Sequence, residues 1–455
     1  MKAQNASDLP ICDSLLRVDE IFILGNKKTK EKIILREMSL KRGIYSTLDD
    51  IKKSIELDKI NIINTNLFNT VSIDILEDSE KASINIFVQV DERWYFFPTP
   101  LLDIADRNLM DWLINREGDI NRFNYGLRLT QYNLVGQNKT LKFIGKVGFE
   151  RNLLIDYMNP FIDKDQKHGL GFIYSYNESE NASYITKDHV PDFFDSDVIN
   201  IKQYFASTSY TYRPSFYNFH QISLSYLHSE ISDTVLRLNP NYHFNQEKIQ
   251  SYFGISYNFI SDHRNNKRFA TSGTFLEASL ETIGLGHRNQ FNISTISLKF
   301  NKYTPLNNDF FLANGIMGLQ TFPKEQPYFN YQGLGYNQVL ARGFELDLIE
   351  GSSFLLQKNT VRKKIFDWSK DIRNVMPISQ FAQLRMTTYF KFFADFAWVD
   401  NYPKYEISSR LTNQLLYSFG VGLDLVAMYD MVLRLEYSYN SESERNFALN
   451  IKADL

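Results

Sequence analysis

The 455-residue sequence lacks the features that mark several common classes of protein. No run of apolar residues reaches the roughly eighteen that a transmembrane helix needs, which excludes membrane-spanning helices. Cys12 is the single cysteine, so no internal disulfide can form, and the cysteine content indicates no compartment. The formal net charge of −3 is too balanced to indicate a nucleic-acid partner.

Motifs of enzymatic and metal chemistry are also absent from the sequence. It contains no Gly-x-Ser-x-Gly nucleophile motif. It contains neither His-Glu-x-x-His nor a Cys/His cluster, and its 7 histidines are scattered. We therefore predict no catalytic residues, no metal site and no cofactor, and we expect that the protein is not an enzyme.

The start of the chain lacks the apolar core of a secretory signal peptide, because Met1–Pro10 is polar. Either a signal peptide has been removed and Met1 added, or the protein reaches its destination without one. The sequence leaves both possibilities open. We predict that residues 1–16 form a disordered N-terminal segment.

The sequence is rich in aromatic residues: 36 Phe, 27 Tyr and 4 Trp make up 15% of the chain. Outer-membrane β-barrels concentrate aromatic side chains in girdles at the two bilayer interfaces. A large β-sandwich can also be rich in aromatic residues. The composition therefore favours a barrel without deciding the fold.

Residues 17–91 show the mixed pattern of a small α+β domain. A short apolar strand ends in a turn at Gly25-Asn26. Thr29 and Thr47 are suited to cap the N-termini of two helices, and two alternating strands follow. The predicted order of elements is β-α-α-β-β.

From residue 92 to residue 455 the dominant pattern is period-two alternation of apolar and polar residues. Charged residues fall on one face of each segment, as in residues 430–440, which is typical of strands whose other face contacts lipid. We therefore predict an all-β transmembrane barrel of sixteen antiparallel strands. The predicted strands are 92–103, 121–132, 139–150, 152–160, 168–178, 198–213, 218–230, 249–262, 271–284, 288–303, 308–321, 352–365, 386–399, 414–427, 430–440 and 445–454.

The predicted connections mostly alternate between short and long, as in outer-membrane barrels. The longest on one side are residues 179–197, 231–248 and 322–351. The connection 366–385 is also long, although it would fall on the side of the short turns. It is the one connection that fits the rule poorly.

Three motifs of residues 17–91 resemble those of a POTRA domain. They are the Gly25-Asn26 turn, the helix with Leu35-Arg36-Glu37, and Asn66-Leu67-Phe68 before a strand, in the family's order. The resemblance implies a domain that offers an exposed strand edge to client chains, a recognition mode based on strand addition.

The remainder of the chain resembles the barrel of the BamA/TamA superfamily of outer-membrane proteins, of the bacterial surface antigen type. Ala341-Arg342-Gly343-Phe344 resembles its Val-Arg-Gly-Phe/Tyr loop motif. Asn133–Gly136, Tyr157–Phe161 and Gly420–Gly422 resemble further motifs in the same order. Residues 92–108 are similar to single-POTRA members from the Bacteroidetes group.

This resemblance implies that loop 322–351 folds into the lumen and that Arg342 reaches the inner wall. A guanidinium offers five donors in a rigid fork, and Gly343 lets the backbone turn tightly. Asp395 is the predicted partner, since its aromatic neighbours should face lipid. The family's second carboxylate would fall near Thr360 and is missing, which predicts an altered network. The alternatives are an ordinary loop arginine and a solvated lumen carboxylate.

The first predicted barrel strand carries two prolines, which cannot donate to a β-ladder and belong at sheet edges. Closing the barrel pairs this strand with the last one, so we predict a weak seam between them. The resemblance implies that the seam opens sideways and templates a client's strand. Alternatively, the prolines merely bend the strand. The predicted seam residues are Phe97, Pro98, Pro100, Phe447, Leu449 and Ile451.

The resemblance thus implies an outer-membrane protein insertion and assembly factor that captures clients by its POTRA domain. The implied partners are the outer-membrane lipid bilayer, unfolded client outer-membrane proteins, and periplasmic or lipoprotein accessory subunits, with no nucleic acid. The alternatives are an exporter of the two-partner type, which passes a soluble partner through the lumen, and a passive porin or structural barrel. The implied location is the bacterial outer membrane with the POTRA domain in the periplasm, or else the mitochondrial outer membrane.

Overall fold

A computed structural model describes residues 15–78, 80–104, 109–194, 196, 198–285, 292–336, 339–376, 378–405, 410–427, 429 and 431–450. The chain divides into two compact units, one of residues 1–93 with 135–138 and one of residues 94–134 with 139–455. Of the segment predicted to be disordered, residues 1–14 lie outside the described residues, and Leu16 already belongs to a strand. No helix in the described ranges is long and apolar enough to cross a membrane.

The first unit is a four-stranded sheet with two helices. Its sheet order is β2-β1-β4-β3, in which β1 runs parallel to β4 and the other neighbours are antiparallel. The predicted β-α-α-β-β order is found, and the two-residue strand β2 is added between the helices. The elements are β1 (Leu16–Leu24), α1 (Glu31–Arg36), β2 (Tyr45–Ser46), α2 (Leu48–Ile63), β3 (Phe68–Asp78) and β4 (Ser83–Glu92).

Capping explains where the longer helix of this unit begins. Thr47, as predicted, accepts a hydrogen bond at its Oγ1 from the backbone N of Asp50 (3.2 Å). The prediction that Thr29 caps α1 is wrong, because Lys30 is the N-cap and makes no side-chain cap bond. Thr29 is instead buried, and both its backbone N and its hydroxyl donate to the Glu92 carboxylate (2.6 Å each). A long-range carboxylate thus replaces the local cap.

The second unit is one antiparallel sheet of sixteen strands, which confirms the predicted number. Each strand pairs with its neighbours along the chain, apart from β10–β11 and β18–β19, which form two separate two-stranded sheets. The elements are β5 (Phe96–Ile104), α3 (Leu109–Asn115), β6 (Phe123–Leu134), β7 (Lys139–Gly148), β8 (Glu150–Asn159), β9 (His168–Ser179), β10 (Ala182–Lys187), β11 (Val190–Phe194), β12 (Ile201–Tyr212), β13 (Asn218–Ile231), α4 (Asp233–Leu238), β14 (Ile249–Asp262), β15 (Gly273–Leu285), β16 (Ile293–Pro305), β17 (Phe310–Phe322), β18 (Gly333–Leu334), β19 (Ile349–Glu350), β20 (Ser353–Asp371), β21 (Gln383–Asp400), β22 (Leu415–Ala427), β23 (Val432–Asn440) and β24 (Arg445–Asn450).

The long connection expected at residues 366–385 is a wrong prediction. β20 continues to Asp371, which pairs with Gln383 at the start of β21, so only residues 372–382 connect the two strands. The register shifts between Lys364 and Phe366. Because a bulge moves the following side chains to the opposite face, the alternation of the sequence is interrupted there and the end of the strand is hidden.

The two faces of the sheet differ in chemistry as period-two alternation requires. One face exposes apolar side chains, such as Leu224 (56% exposed), Phe392 (58%) and Phe419 (54%). The opposite face, called the inner face below, carries buried charged groups such as Lys391 and Asp424. An apolar outer face and a polar inner face are typical of strands that cross a membrane in a barrel.

Candidate functional site

The segment between β17 and β20 packs against the inner face of the sheet. Its base is closed by the pairing of β18 with β19, in which Leu334 lies opposite Ile349. Leu334, Ile349 and Phe344 are at most 3% exposed and pack with inner-face residues of β20 and β21. The segment is therefore held as part of a hydrophobic core rather than as a solvated loop.

Arg342 lies at the centre of this contact and is 0% exposed. Its Nε donates to Oδ2 of Asp395 (2.9 Å), and its Nη2 donates to Oδ1 of the same carboxylate. The backbone N of Arg342 also donates to Oδ2 (3.1 Å). Such a two-pronged arginine–carboxylate pair is both strong and geometrically specific. The guanidinium carbon lies 4.1 Å from the ring centroid of Phe393, a cation–π contact.

Thr360 occupies the place where the resemblance would put a second carboxylate. Its Oγ1 accepts a hydrogen bond from Nη1 of Arg342 (3.0 Å). A second negative charge approaches from β23, where Oε1 of Glu436 lies 3.9 Å from Nη1. Alternation of the sequence places Glu436 on the inner face, but no motif assigned it a role. Besides Asp395, the guanidinium thus meets the Thr360 hydroxyl and, at a longer distance, the Glu436 carboxylate.

Gly343 connects the motif to the last two strands. Its φ of +85° favours glycine, and a Cβ there would lie 2.9 Å from Cβ of Ser418. Its carbonyl oxygen accepts hydrogen bonds from Nδ2 of Asn440 (2.8 Å) and Nδ2 of Asn446 (2.7 Å). Asn446 belongs to β24, so the loop is bonded directly to the strand that ends the sheet. Neither asparagine could be recognised from the sequence.

A cluster of buried charges continues from this point along the inner face. Nζ of Lys391 lies 2.5 Å from Asp424 and 2.8 Å from Glu436. Nε of Arg362 lies 3.4 Å from Asp424, and Nε of Arg434 lies 3.1 Å from Glu436. All five side chains are at most 5% exposed. Buried charges are tolerated when they are paired, so these ion pairs link strands β20, β21, β22 and β23 to one another.

The Gly420-Val421-Gly422 motif has a direct role in this packing. A Cβ at Gly420 would lie 2.5 Å from the ring of Phe393, and a Cβ at Gly422 would lie 2.9 Å from Cε of Lys391. Without side chains, the two glycines leave room on the inner face for that ring and that lysine. The motif therefore supports the packing of strands β20–β23, called the wall below, against which Arg342 lies.

Glu345 is a buried carboxylate that the loop itself contributes, next to the Arg342-Gly343 motif. Burial and the nearby Glu436 carboxylate raise its pKa from 4.5 to about 7. Its Oε2 accepts a hydrogen bond from the backbone N of Gly343 (2.8 Å). In the described ranges, no group of three or more His, Cys, Asp and Glu residues could hold a metal ion.

Five of the six predicted seam residues lie on the two edge strands of the sheet. β5, with Phe97, Pro98 and Pro100, pairs with β6, and β24, with Phe447 and Leu449, pairs with β23. Over the part of the chain that the structure describes, no ladder joins β5 to β24. Ile451, the remaining predicted seam residue, lies outside the described residues.

Side-chain contacts link the start of β5 to the turn between β22 and β23. Tyr429, in the turn between β22 and β23, places its ring edge-on to Phe97 with centroids 5.8 Å apart. Its hydroxyl accepts from the backbone N of Trp94 (3.2 Å) and donates to the carbonyl of Gln380 (3.3 Å). A tyrosine thus connects the first strand of the sheet to the turn between β22 and β23.

Comparison with known proteins gives two family matches, to the Omp85 superfamily domain over residues 133–450 and to a POTRA domain, described as a surface antigen variable number repeat, over residues 16–93. A curated relative is the "Putative outer membrane protein assembly factor" of Treponema pallidum (strain Nichols). It is 36% identical over 77 residues, which are 17% of this chain and 9% of that protein. The chain therefore matches a small part of that relative's length.

Three solved structures share the fold at low identity. BamA from Haemophilus ducreyi lacking POTRA domains 1–3 is 17% identical, with a TM-score of 0.50 over 96% of this chain and 83% of that one. CdiB from Acinetobacter baumannii is 12% identical, with a TM-score of 0.52 over 97% and 74%. CdiB from Escherichia coli is 12% identical, with a TM-score of 0.53 over 96% and 73%.

The superfamily consists of assembly and transport factors of the bacterial outer membrane and not of enzymes. The resemblance to the BamA/TamA barrels is thereby confirmed, whereas an origin in the Bacteroidetes group stays a prediction. Since the matched domain covers most of the chain and follows one POTRA domain, this chain belongs to the Omp85 superfamily.

Proposed function

We propose that this chain inserts client proteins into the bacterial outer membrane through the seam between β5 and β24. The observation that carries the proposal is the pair of edge strands that lack a common ladder in the described ranges. Unpaired strand edges present rows of free donors and acceptors, which can template an incoming strand. Pro98 and Pro100 keep β5 from donating at two positions and so weaken closure.

Loop 322–351, called the motif loop below because it carries Arg342 and Gly343, is proposed to position the last strand of this seam. Arg342 fastens the loop to β21 through Asp395, and the Gly343 carbonyl holds β24 through Asn446. The loop therefore connects the rigid wall of β20–β23 with the strand that must move if the seam opens. The two asparagine bonds are neutral, so each should contribute about 0.5–1.5 kcal/mol, which is weak enough to break during a cycle.

Clients are proposed to reach the seam through the first unit, which would lie in the periplasm. Its sheet ends in β3, whose outer edge carries no further strand among the described residues. An extended client segment can add to such an edge by main-chain hydrogen bonds. Periplasmic or lipoprotein accessory subunits would then act on the same unit.

The test is a reversible lock across the seam. Cysteines would be placed at Phe97 and Leu449 in a Cys12→Ser background, and folded client barrels would be measured in a depletion strain with and without reductant. We expect the disulfide to stop client insertion and reduction to restore it. The matched control places cysteines at Leu435 and Leu449, which lie opposite each other within the β23–β24 ladder. Because that disulfide does not cross the seam, insertion should continue.

Export through the lumen, the main alternative, makes the opposite prediction for the same strain. A soluble partner that passes inside a closed barrel does not need the edge strands to separate. If the Phe97–Leu449 lock leaves client levels equal to those of the control lock, insertion through the seam is refuted. A passive porin would show neither a client defect nor a secretion defect in the depletion strain.

A further inference from the structure

The turn between β14 and β15, residues 263–272, is not used by the motif loop or by the seam. It lies at the same end of the sheet as the short turn 306–309, because β14 and β16 run in the same direction and each turn follows one of them. Phe269 and Ala270 within it are 7% and 4% exposed. The part of the turn formed by Phe269 and Ala270, called the tip below, is thus buried, whereas Leu306 in the neighbouring turn is 56% exposed.

The burial of this tip comes from strands far along the sheet. The Phe269 ring lies 4.9 Å from the ring of Tyr389 on β21, and these two residues form one buried cluster with Val432 on β23. Ala270 packs with Tyr303 on β16 and Ala313 on β17. A turn that starts at β14 and contacts β16, β17, β21 and β23 must cross the inner side of a strongly curved sheet.

The tip is also attached to the buried charge cluster. The guanidinium carbon of Arg362 lies 4.7 Å from the centroid of the Phe269 ring. The same guanidinium lies 3.4 Å from Asp424 through Nε. A cation held over an aromatic ring in a desolvated place is a favourable contact. The turn is therefore fastened to the wall that receives the motif loop.

Hydrogen bonds within the turn set its shape. Oδ1 of Asn265 accepts from the backbone N of Thr271 (3.0 Å) and of Ser272 (3.1 Å). Oδ1 of Asn266 accepts from the backbone N of Arg268 (2.8 Å) and of Phe269 (3.0 Å). Asparagine side chains that satisfy backbone donors stabilise compact turns. These bonds therefore stabilise the conformation of the turn from within.

We propose that this turn is a plug, a second seal that closes the interior of the barrel at the end opposite the long loops. The interior is then blocked twice, by the motif loop and by residues 263–272. The inference goes beyond the proposed insertion function, since it concerns passage through the lumen and holds whether or not clients use the seam. It implies that removal of the motif loop alone does not open a channel.

The test is the ion conductance of the purified full chain in planar bilayers. Three proteins would be compared: the wild type, a loop-shortened variant, and the same variant with residues 265–272 also replaced by Asn-Gly. In the loop-shortened variant, residues 335–348 are replaced by Asn-Gly, which joins Leu334 to Ile349 as a two-residue hairpin. Heat-modifiable migration on gels would confirm that each barrel is folded.

We expect the wild type and the loop-shortened variant to be silent, and steady stepwise conductance to appear when the plug is also removed. If the loop-shortened variant conducts as much as the double variant, the turn is not a seal and the inference is overturned. A folded double variant that stays silent overturns it as well. Leu306→Ala in the loop-shortened background is the matched control and should stay silent. Should the turn replacement fail to fold, Phe269→Ala in that background takes its place, with the same two outcomes.

Discussion

Removal of the Asp395 carboxylate should release the motif loop and destabilise the protein strongly. Asp395→Leu leaves the guanidinium of Arg342 at 0% exposure without its nearest carboxylate. Glu436, 3.9 Å away, compensates only in part because it also pairs with Lys391 and Arg434. Breaking a buried ion pair by removing one partner costs about 3–5 kcal/mol. We therefore expect a loss of this size in the free energy of unfolding.

The measurement is urea unfolding of the purified protein in lipid vesicles, together with limited proteolysis of the loop. Asp371→Ala is the matched control, since it removes an ion pair to Arg373 that is largely exposed, and exposed pairs contribute little to stability because water and salt screen them. The double variant Arg342→Met/Asp395→Leu should recover most of the loss, because apolar residues can replace a buried pair. If Asp395→Leu costs no more than the control, the pair does not hold the loop.

Three further predictions concern the loop and its attachments. Gly343→Ala should cost about 1–3 kcal/mol in the same unfolding assay, because its φ of +85° strains other residues and the added Cβ meets Ser418; an unchanged stability would contradict the described geometry. The pKa of Glu345 is raised from 4.5 to about 7, so the protonated side chain stabilises the fold fully below about pH 4.5, and this contribution is lost as the pH rises through 7. The free energy of unfolding should therefore fall between pH 4.5 and pH 7, and Glu345→Gln should remove that part of its pH dependence. Asn446→Leu should speed hydrogen exchange of β24 amides and leave those of β21–β22 unchanged, because it removes one bond to the Gly343 carbonyl; equal exchange in the variant and the wild type would show that the loop does not hold β24.

Much of the strand pattern could be predicted from the sequence because lipid and lumen impose opposite chemistry on alternate residues. Sixteen strands follow from that alternation, and it also places Asp395 on the inner face between outward-facing Phe392 and Phe396. The end of β20 could not be predicted, since its bulge changes the face of the following side chains. The wrong cap at Thr29 has a similar cause, because Glu92, distant in sequence, takes its donors.

The sequence by itself thus determined the alternation of the strands, the POTRA-like unit and the residues of the loop motif, because these are local or periodic properties. Tertiary structure alone decided the partners of that motif. Glu436, Asn440 and Asn446 lie on strands far from residue 342 in sequence, and curvature of the sheet brings them to the loop. The same curvature seats Phe269 against β21 and β23. Contacts across the inside of a curved sheet depend on how strongly the sheet curves, and the periodicity of the sequence does not predict that curvature.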